Sequence, residues 1–317
     1  MVSIKKIATD IGVSAATVSN ALTGKGRVSE EMTARIRSRA QELGYRPNNL
    51  ARALKTGQTG ILGLVMPDLT NPLFPRIAQM LSIAAERRGL GILIGDSRGS
   101  ADEQNEVLKR LVDRGVDGLL VVPQKGTSPE MNAVPLAIIN TASDPRNTVS
   151  ADHAGGGALI ARHISDIGHR NVVILGGDPV SEVQQDRISG MQSAMRQEIR
   201  SSVLWGDAGV AEVAERVRAG ATAVLTTSDL LALRVHSELT RAQFSVPRRV
   251  SLTGFDNMSL ASVMHPTLTT VAQDVEAIAD RAIEILTAMI RGQAHPDTGR
   301  TLPMRLVVRN STSNPEI

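Results

Sequence analysis

The sequence contains no cysteine. That absence excludes disulfides, cysteine-ligated zinc and thiol nucleophiles from any account of its action. Aromatic residues are almost as scarce, three Phe, one Trp and one Tyr, or 2% of the chain, so few rings are available to sandwich a purine. No apolar run approaches the ~18 residues of a membrane span. The opening MVSIKKIATDIG is basic but has no apolar centre and no cleavage pattern, which predicts a cytoplasmic address. Catalytic signatures are missing too. No GxSxG, HExxH, dinucleotide fingerprint or phosphate loop occurs, AGGGA at 154–158 fits none of them, and His153, His163, His169, His236, His265 and His295 are scattered. The sequence therefore implies no catalytic residue, no metal and no cofactor, and argues against an enzyme.

What is present describes a globular chain. Hydrophobic residues make up 42% and charged residues 21% of 317 positions, too long for one core and suited to two or three domains. Net charge is only +3, but it is unevenly placed: residues 1–59 hold ten Lys or Arg against four acids, or +6, which leaves −3 for the remaining 258. A small basic head on a mildly acidic body suggests that the head meets a polyanion.

The head has a readable pattern. Ile4, Ile7, Ala8 and Ile11 repeat at helical spacing and Gly12 stops that helix. Ser14 can cap a second helix carrying Val18, Ala21 and Leu22, and Ser29 opens a third with Ile36, Ala40 and Leu43 inside and Gly44 as its stop. Three short helices with a glycine turn between the first two form the helix-turn-helix plan, whose second helix enters the DNA major groove. Ser14, Thr17, Ser19 and Thr23 can reach phosphate oxygens, and Arg27 in the GKGR run adds charge. Ala15, Ala16 and Asn20 remain for base edges, the alanines for a thymine methyl and the amide for adenine; plain solvent-facing helix positions are the alternative for Ala15 and Ala16.

The segment IKKIATDIGVSAATVSNALTGKGRVSEEMTARIRSRAQELGYRPNNLARALKTGQTGILGLVMPDLTNPLF resembles the opening of the LacI/GalR family of bacterial transcription regulators, and the likeness continues to LPMRLVVRNST. The resemblance implies a helix-turn-helix domain over 1–46 and a hinge helix or linker over 47–59. It also implies an effector-binding and dimerisation core over 60–317. In the hinge it assigns Leu54 to a wedge between base pairs, with Asn48 and Ala51 in the minor groove. Pro47 suits a helix start, and 48–54 is helix-compatible. Where many relatives carry an arginine that reads guanine, this chain has Asn20, which implies a different half-site.

From residue 60 the pattern becomes α/β. Short β-branched runs (ILGLVMP, LGILIGD, DGLLVVP, LAIIN, NVVILGG, SVLWG, AVLTTSD, VSLTGFD, LTTVAQ) alternate with helical stretches, which predicts about nine strands in two groups. The expected fold is a small all-α helix-turn-helix head plus an α/β core. The family resemblance implies that this core is periplasmic-binding-protein-like, with two doubly wound parallel-sheet subdomains. The first covers about 60–150 plus 274–302, the second about 151–273 plus 303–317. Ligands of such sheets bind at strand carboxyl ends, here facing each other across a cleft. Asn71, Phe74, Asn140, Asp152, Arg187, Trp205, Ser228, Asp229, Phe255, Asp256 and Gln273 fall at those ends. Local roles compete for some: Asn71 and Asp229 as helix caps, Asp152 as a loop tie, Trp205 as core.

Ribose-binding relatives place an Arg soon after the strand ending at Asn140 and an Asn just before Asp229; this chain has Thr141 and Ser228. The expected effector is a small polar metabolite, a sugar, polyol or phosphorylated derivative, with Arg187 available for an anionic group. The function implied is a repressor that binds a pseudo-palindromic operator on double-stranded DNA as a homodimer, with no membrane partner. RNSTSNPEI carries no leucine heptads for four-helix assembly. A sugar-binding module, or an architectural minor-groove protein without effector control, is the alternative.

Overall fold

The computed structural model describes residues 3–24, 26–45, 57–141, 147–293 and 299–315, and divides into two compact units, Met1–Thr59 and Gly60–Ile317. In the first unit, α1 (Ile4–Ile11) starts where the Ser3 hydroxyl accepts from Lys6 N–H and stops at Gly12, whose φ of +77° an L side chain rarely adopts. Helix α2 (Ala15–Thr23) is capped by Ser14 and α3 (Glu30–Glu42) by Ser29, each hydroxyl accepting an N–H that the first turn leaves without a partner. Ile7, Ala8, Val18, Ala21, Ile36 and Ala40 bury the three helices' apolar faces against one another. The hinge positions Asn48, Ala51 and Leu54 and the side chain of Thr23 lie outside the described residues.

The second unit holds two parallel sheets. Strands β1 (Ile61–Met66), β2 (Gly91–Asp96), β3 (Gly118–Val121), β4 (Leu136–Ile139), β5 (Asn147–Ala151) and β11 (Arg300–Leu302) form the first, in the order β11-β5-β4-β3-β1-β2. The second has the order β7-β6-β8-β9, with β6 (Asn171–Gly176), β7 (Arg200–Trp205), β8 (Ala223–Thr226) and β9 (Ser251–Thr253). An antiparallel pair, β10 (Thr270–Ala272) with β12 (Arg305–Val307), completes the strands. Helices α4 (Leu73–Glu86) and α5 (Ala101–Asp113) cover the first sheet. Four more, α6 (His153–Asp166), α7 (Glu182–Ala194), α8 (Gly206–Arg218) and α9 (Asp229–Arg241), cover the second, and the short α10 (Ser259–Val263) follows β9.

The chain crosses between the two subdomains three times, after β5, after β10 and after β11. The late helix α11 (Val275–Ile290) returns Val275, Ile278, Ala282, Ile283 and Leu286 to the core of the first sheet. The sequence count of about nine strands is corrected upward. It omitted β5, β11 and β12, whose residues NTVSA, RTL and RLV are too short and too polar to read as apolar runs.

Two helices set the geometry of the second unit's strand-end cluster. Helices α6 and α7 pack backbone to backbone: a Cβ at Gly157 would overlap the Arg187 carbonyl, and one at Gly190 the Ala154 carbonyl. This close approach carries His153 and Arg187, 34 positions apart, into contact. Gly190→Ala should therefore lower stability by about 1–3 kcal/mol through overpacking, read as a reduced urea midpoint, whereas Gly89→Ala, with open space around its Cβ, should act only through its φ of +70°.

Candidate functional site

The head presents the exposed side of α2. Ala15, Ala16 and Asn20 are exposed on α2, while Val18 and Ala21 point into the core. Ser14 accepts from Thr17 N–H at 3.0 Å, and its hydroxyl lies 2.9 Å from the Thr17 hydroxyl, so capping employs two of the groups assigned to phosphate. Ser19 is half-buried and Arg27 is exposed beyond the turn. Asn20 leans against Gly26, where a Cβ would come within 2.9 Å of its Nδ2, so the amide is steadied by the turn.

In the second unit the strand ends bring a buried polar cluster together. Arg187 Nη2 sits 2.9 Å from Asp256 Oδ1, the two side chains being 4% and 3% exposed. Its other donors are engaged as well. Nη1 donates to the Thr227 carbonyl at 2.6 Å, Nε to His153 Nδ1 at 3.3 Å, and the guanidinium stacks 4.0 Å above the Phe255 ring. Because guanidinium only donates, His153 Nδ1 must be unprotonated and the ring hydrogen resides on Nε2. Burial holds the His153 pKa well below the ordinary value and the Arg187 charge adds to this, with the nearby Asn140 backbone opposing. Gln273 Nε2 donates to Asp256 Oδ1 at 2.7 Å.

Three polar atoms around this pair lack a well-formed side-chain hydrogen bond: Asn140 Oδ1, Gln273 Oε1 and His153 Nε2, the His153 ring having only the Asn140 backbone nearby. Each such atom costs about 1–3 kcal/mol until something satisfies it. Asn140 itself is held at φ +65°, and Asp256 and Asn257 are consecutive non-glycine residues at φ +96° and +47°. Strain of this kind is retained where surrounding contacts over-determine the backbone.

Several candidates take other roles. Phe255 is fully buried and lies beneath Arg187 within the core, so it shapes the cluster from behind and lines no open surface. Asp229 does not cap its helix; Ser228 does, accepting from Leu231 N–H at 3.2 Å. The Asp229 carboxylate, fully buried, instead accepts from Met258 N–H at 2.6 Å and from the Thr270 hydroxyl at 2.5 Å. Burial, with the Asp256 charge assisting, pushes its pKa up to about 7. Asp152 caps α6 by accepting from Gly155 N–H at 2.8 Å, and Asn71 accepts from Leu73 N–H at 3.1 Å at the start of α4. Phe74 packs against the first core. Trp205, half-buried, lies over Gly176. Arg187 is also not free to receive an anion, since Asp256 already neutralises it.

Two residues that the sequence pattern does not single out matter here. His153 follows Asp152 directly, but its contact with Arg187 exists only because α6 and α7 touch. Arg76 reaches across from the first subdomain, its Nη1 donating to the Asn257 carbonyl at 3.0 Å and the Asp256 carbonyl at 3.5 Å. A second bridge joins Lys125 to Asp178 at 2.9 Å.

Head and core each resemble known proteins. Residues 3–48 match the bacterial regulatory proteins of the lacI family, and residues 161–312 match the periplasmic binding protein-like domain. The chain is 28% identical to the HTH-type transcriptional regulator DegA of Bacillus subtilis over 98% of both chains. It is 27% identical to the HTH-type transcriptional repressor PurR of Aliivibrio fischeri over 99% of both, and 27% identical to the ribose operon repressor of Escherichia coli over 90% of this chain and 92% of that one. Its fold matches the lac repressor dimer bound to operator and the anti-inducer ONPF with a TM-score of 0.82, at 23% identity over 98% and 99% of the two chains. For the transcriptional regulator CelR–cellobiose complex the TM-score is 0.73, at 24% identity over 98% and 100%.

The cluster also fixes how stability should respond to substitution and to pH. Asp256→Ala strands the Arg187 charge and should cost about 3–5 kcal/mol in urea unfolding, and Asp256→Asn, which strands the same charge but keeps a hydrogen-bond acceptor, should cost somewhat less. The raised Asp229 pKa means that the folded state holds its proton where the unfolded chain has lost it. Stability from this group is thus fully present below the ordinary carboxylate value of 3.8 and is lost as pH rises through about 7. Asp229→Asn should flatten the melting temperature across pH 5–8 and exceed the parent at pH 8. A head that matches the lacI family of bacterial regulatory proteins, a core that matches the periplasmic binding protein-like domain and full-length likeness to such regulators together make this chain similar, from end to end, to LacI-type transcription regulators.

Proposed function

We propose that this protein is a transcriptional repressor that binds a pseudo-palindromic operator as a homodimer and releases or tightens its grip when a small polar metabolite enters the cleft between its subdomains. The observation that carries the effector half is the Arg187–Asp256 pair ringed by three unsatisfied polar atoms at strand carboxyl ends. Such atoms favour a ligand rich in hydroxyls. Since Arg187 is neutralised, an uncharged sugar or polyol fits better than a phosphorylated one. Related structures support this by kind: CelR is in complex with cellobiose, and an Enterococcus faecium LacI-family regulator holds ribose.

The DNA half rests on the exposed face of α2 and on the basic head. A homodimer is supported by Ile83 on α4 and Ile94 on the edge strand β2, apolar side chains 37% and 49% exposed in the single chain. No described helix is long and apolar enough to cross a membrane. A cytoplasmic regulator without enzymatic activity is the reading that uses both units. A sugar-binding module would leave the head unused, and an architectural DNA protein would leave the cluster unused.

Selection of random duplexes by the purified protein should enrich a near-palindrome; failure to enrich any site would sink the operator reading. On that site Asn20→Ala should lose about 1–3 kcal/mol and relax one base position in each half. Leu54→Ala should weaken specific binding while sparing salt-sensitive nonspecific binding. In parallel, Trp205 fluorescence titrated with neutral sugars, polyols and their phosphate esters should respond to a neutral member.

A further inference from the structure

The contacts around the cleft close into a ring. From the first subdomain, Lys125 pairs with Asp178. The backbone N–H groups of Gly177 and Asp178 donate to Gln184 Oε1 at 2.6 and 3.4 Å, and the Thr227 hydroxyl donates to the same oxygen at 2.7 Å. The Thr227 carbonyl accepts from Arg187, Arg187 pairs with Asp256, and the carbonyls of Asp256 and Asn257 accept from Arg76, back on the first subdomain. Every link is a hydrogen bond, an ion pair or one residue of backbone, and the Asp256–Asn257 segment is the link that carries positive φ at two consecutive non-glycine residues.

We propose that Gln184 and Arg76 are positioning residues through which the Arg187–Asp256 pair sets the closure of the two subdomains, so that both bridges across the cleft open and shut together. This deepens the cleft reading above, and its test uses neither DNA nor effector, so the two can fail separately. Gln184 acts through one oxygen that accepts from three donors; a carboxylate can replace it, an alkyl group cannot. Arg76 acts on the backbone of the residue that neutralises Arg187 and of its neighbour, so it holds from the first subdomain the segment that presents Asp256. The exposed outer bridge contributes little energy by itself, Lys125 being 52% and Asp178 34% exposed; its closure therefore depends on the buried links.

The absence of cysteine provides the experiment. A Cβ at Gly126 lies 3.1 Å from Val180 Cγ1 across the cleft, so the paired substitutions Gly126→Cys and Val180→Cys, in the full chain, report closure by their rate of disulfide formation. Arg76→Gln touches neither engineered position, yet should slow that rate about twofold or more, the lower end of coupling within one network. Gln184→Leu should slow it similarly, the two substitutions together should add nothing beyond the larger single effect, and Gln184→Glu should restore the parental rate. An unchanged rate in Arg76→Gln, or strictly multiplicative effects of the pair, overturns the proposal. If strain at Gly126, with φ +65°, prevents the bond in the parent, nitroxides on Lys109→Cys and Arg241→Cys read the same comparison as inter-subdomain distances. Trp205 emission and the melting temperature confirm that each variant is folded.

Discussion

A buried ion pair between Arg187 and Asp256 is the interaction on which the second unit's site depends. Removing both charges from water costs several kcal/mol per ion, and a pair survives inside a protein only when further hydrogen bonds complete its coordination. Here the completion is specific. Thr227 supplies a carbonyl, His153 a ring nitrogen, Gln273 an amide and Phe255 a π face, so elements from four parts of the chain must arrive together before the charges are tolerable. Mutual dependence of this kind makes the cluster all-or-none, a useful property in a sensor. Either the full set of partners is in place or the pair must be re-solvated.

The two units meet their tasks with different physics. The head is a minimal core of six buried residues whose helices are fixed mainly by serine caps and glycine stops, and its working surface stays polar. The second unit invests in large parallel sheets and gathers unsatisfied polar atoms at one place. A regulator needs only ~1–3 kcal/mol of coupling between two such units to change DNA affinity ~5- to 150-fold.

Much of this was legible in the sequence because the signals are local. Helix caps at Ser14 and Ser29, the stop at Gly12 and the β-branched runs of the two sheets depend on neighbours a few residues away. The failures share a cause. Short polar strands such as β12 exist only because a partner, β10, lies beside them. Asp229 looked like a helix cap because it follows a strand, but Ser228 reaches the orphan N–H and leaves Asp229 to hold the Met258 turn. Arg187 reads from sequence as a free charge for an anionic group, and its lack of spare charge shows only once Asp256 stands beside it. His153, Gln184 and Arg76 matter through contacts spanning tens to more than a hundred residues, which no local pattern encodes.

The threefold crossing of the chain has a consequence for synthesis. The core of the first sheet is closed by α11, and its edge by β11, both from the last fifth of the sequence. A nascent chain therefore displays the apolar faces of β1, β3 and β4 while the whole second subdomain is being made, and neither half can mature before the other is nearly complete. The head carries its entire core within its first 45 residues and can fold as soon as it leaves the ribosome. A DNA-reading module is thus complete in the nascent chain long before the part that governs it.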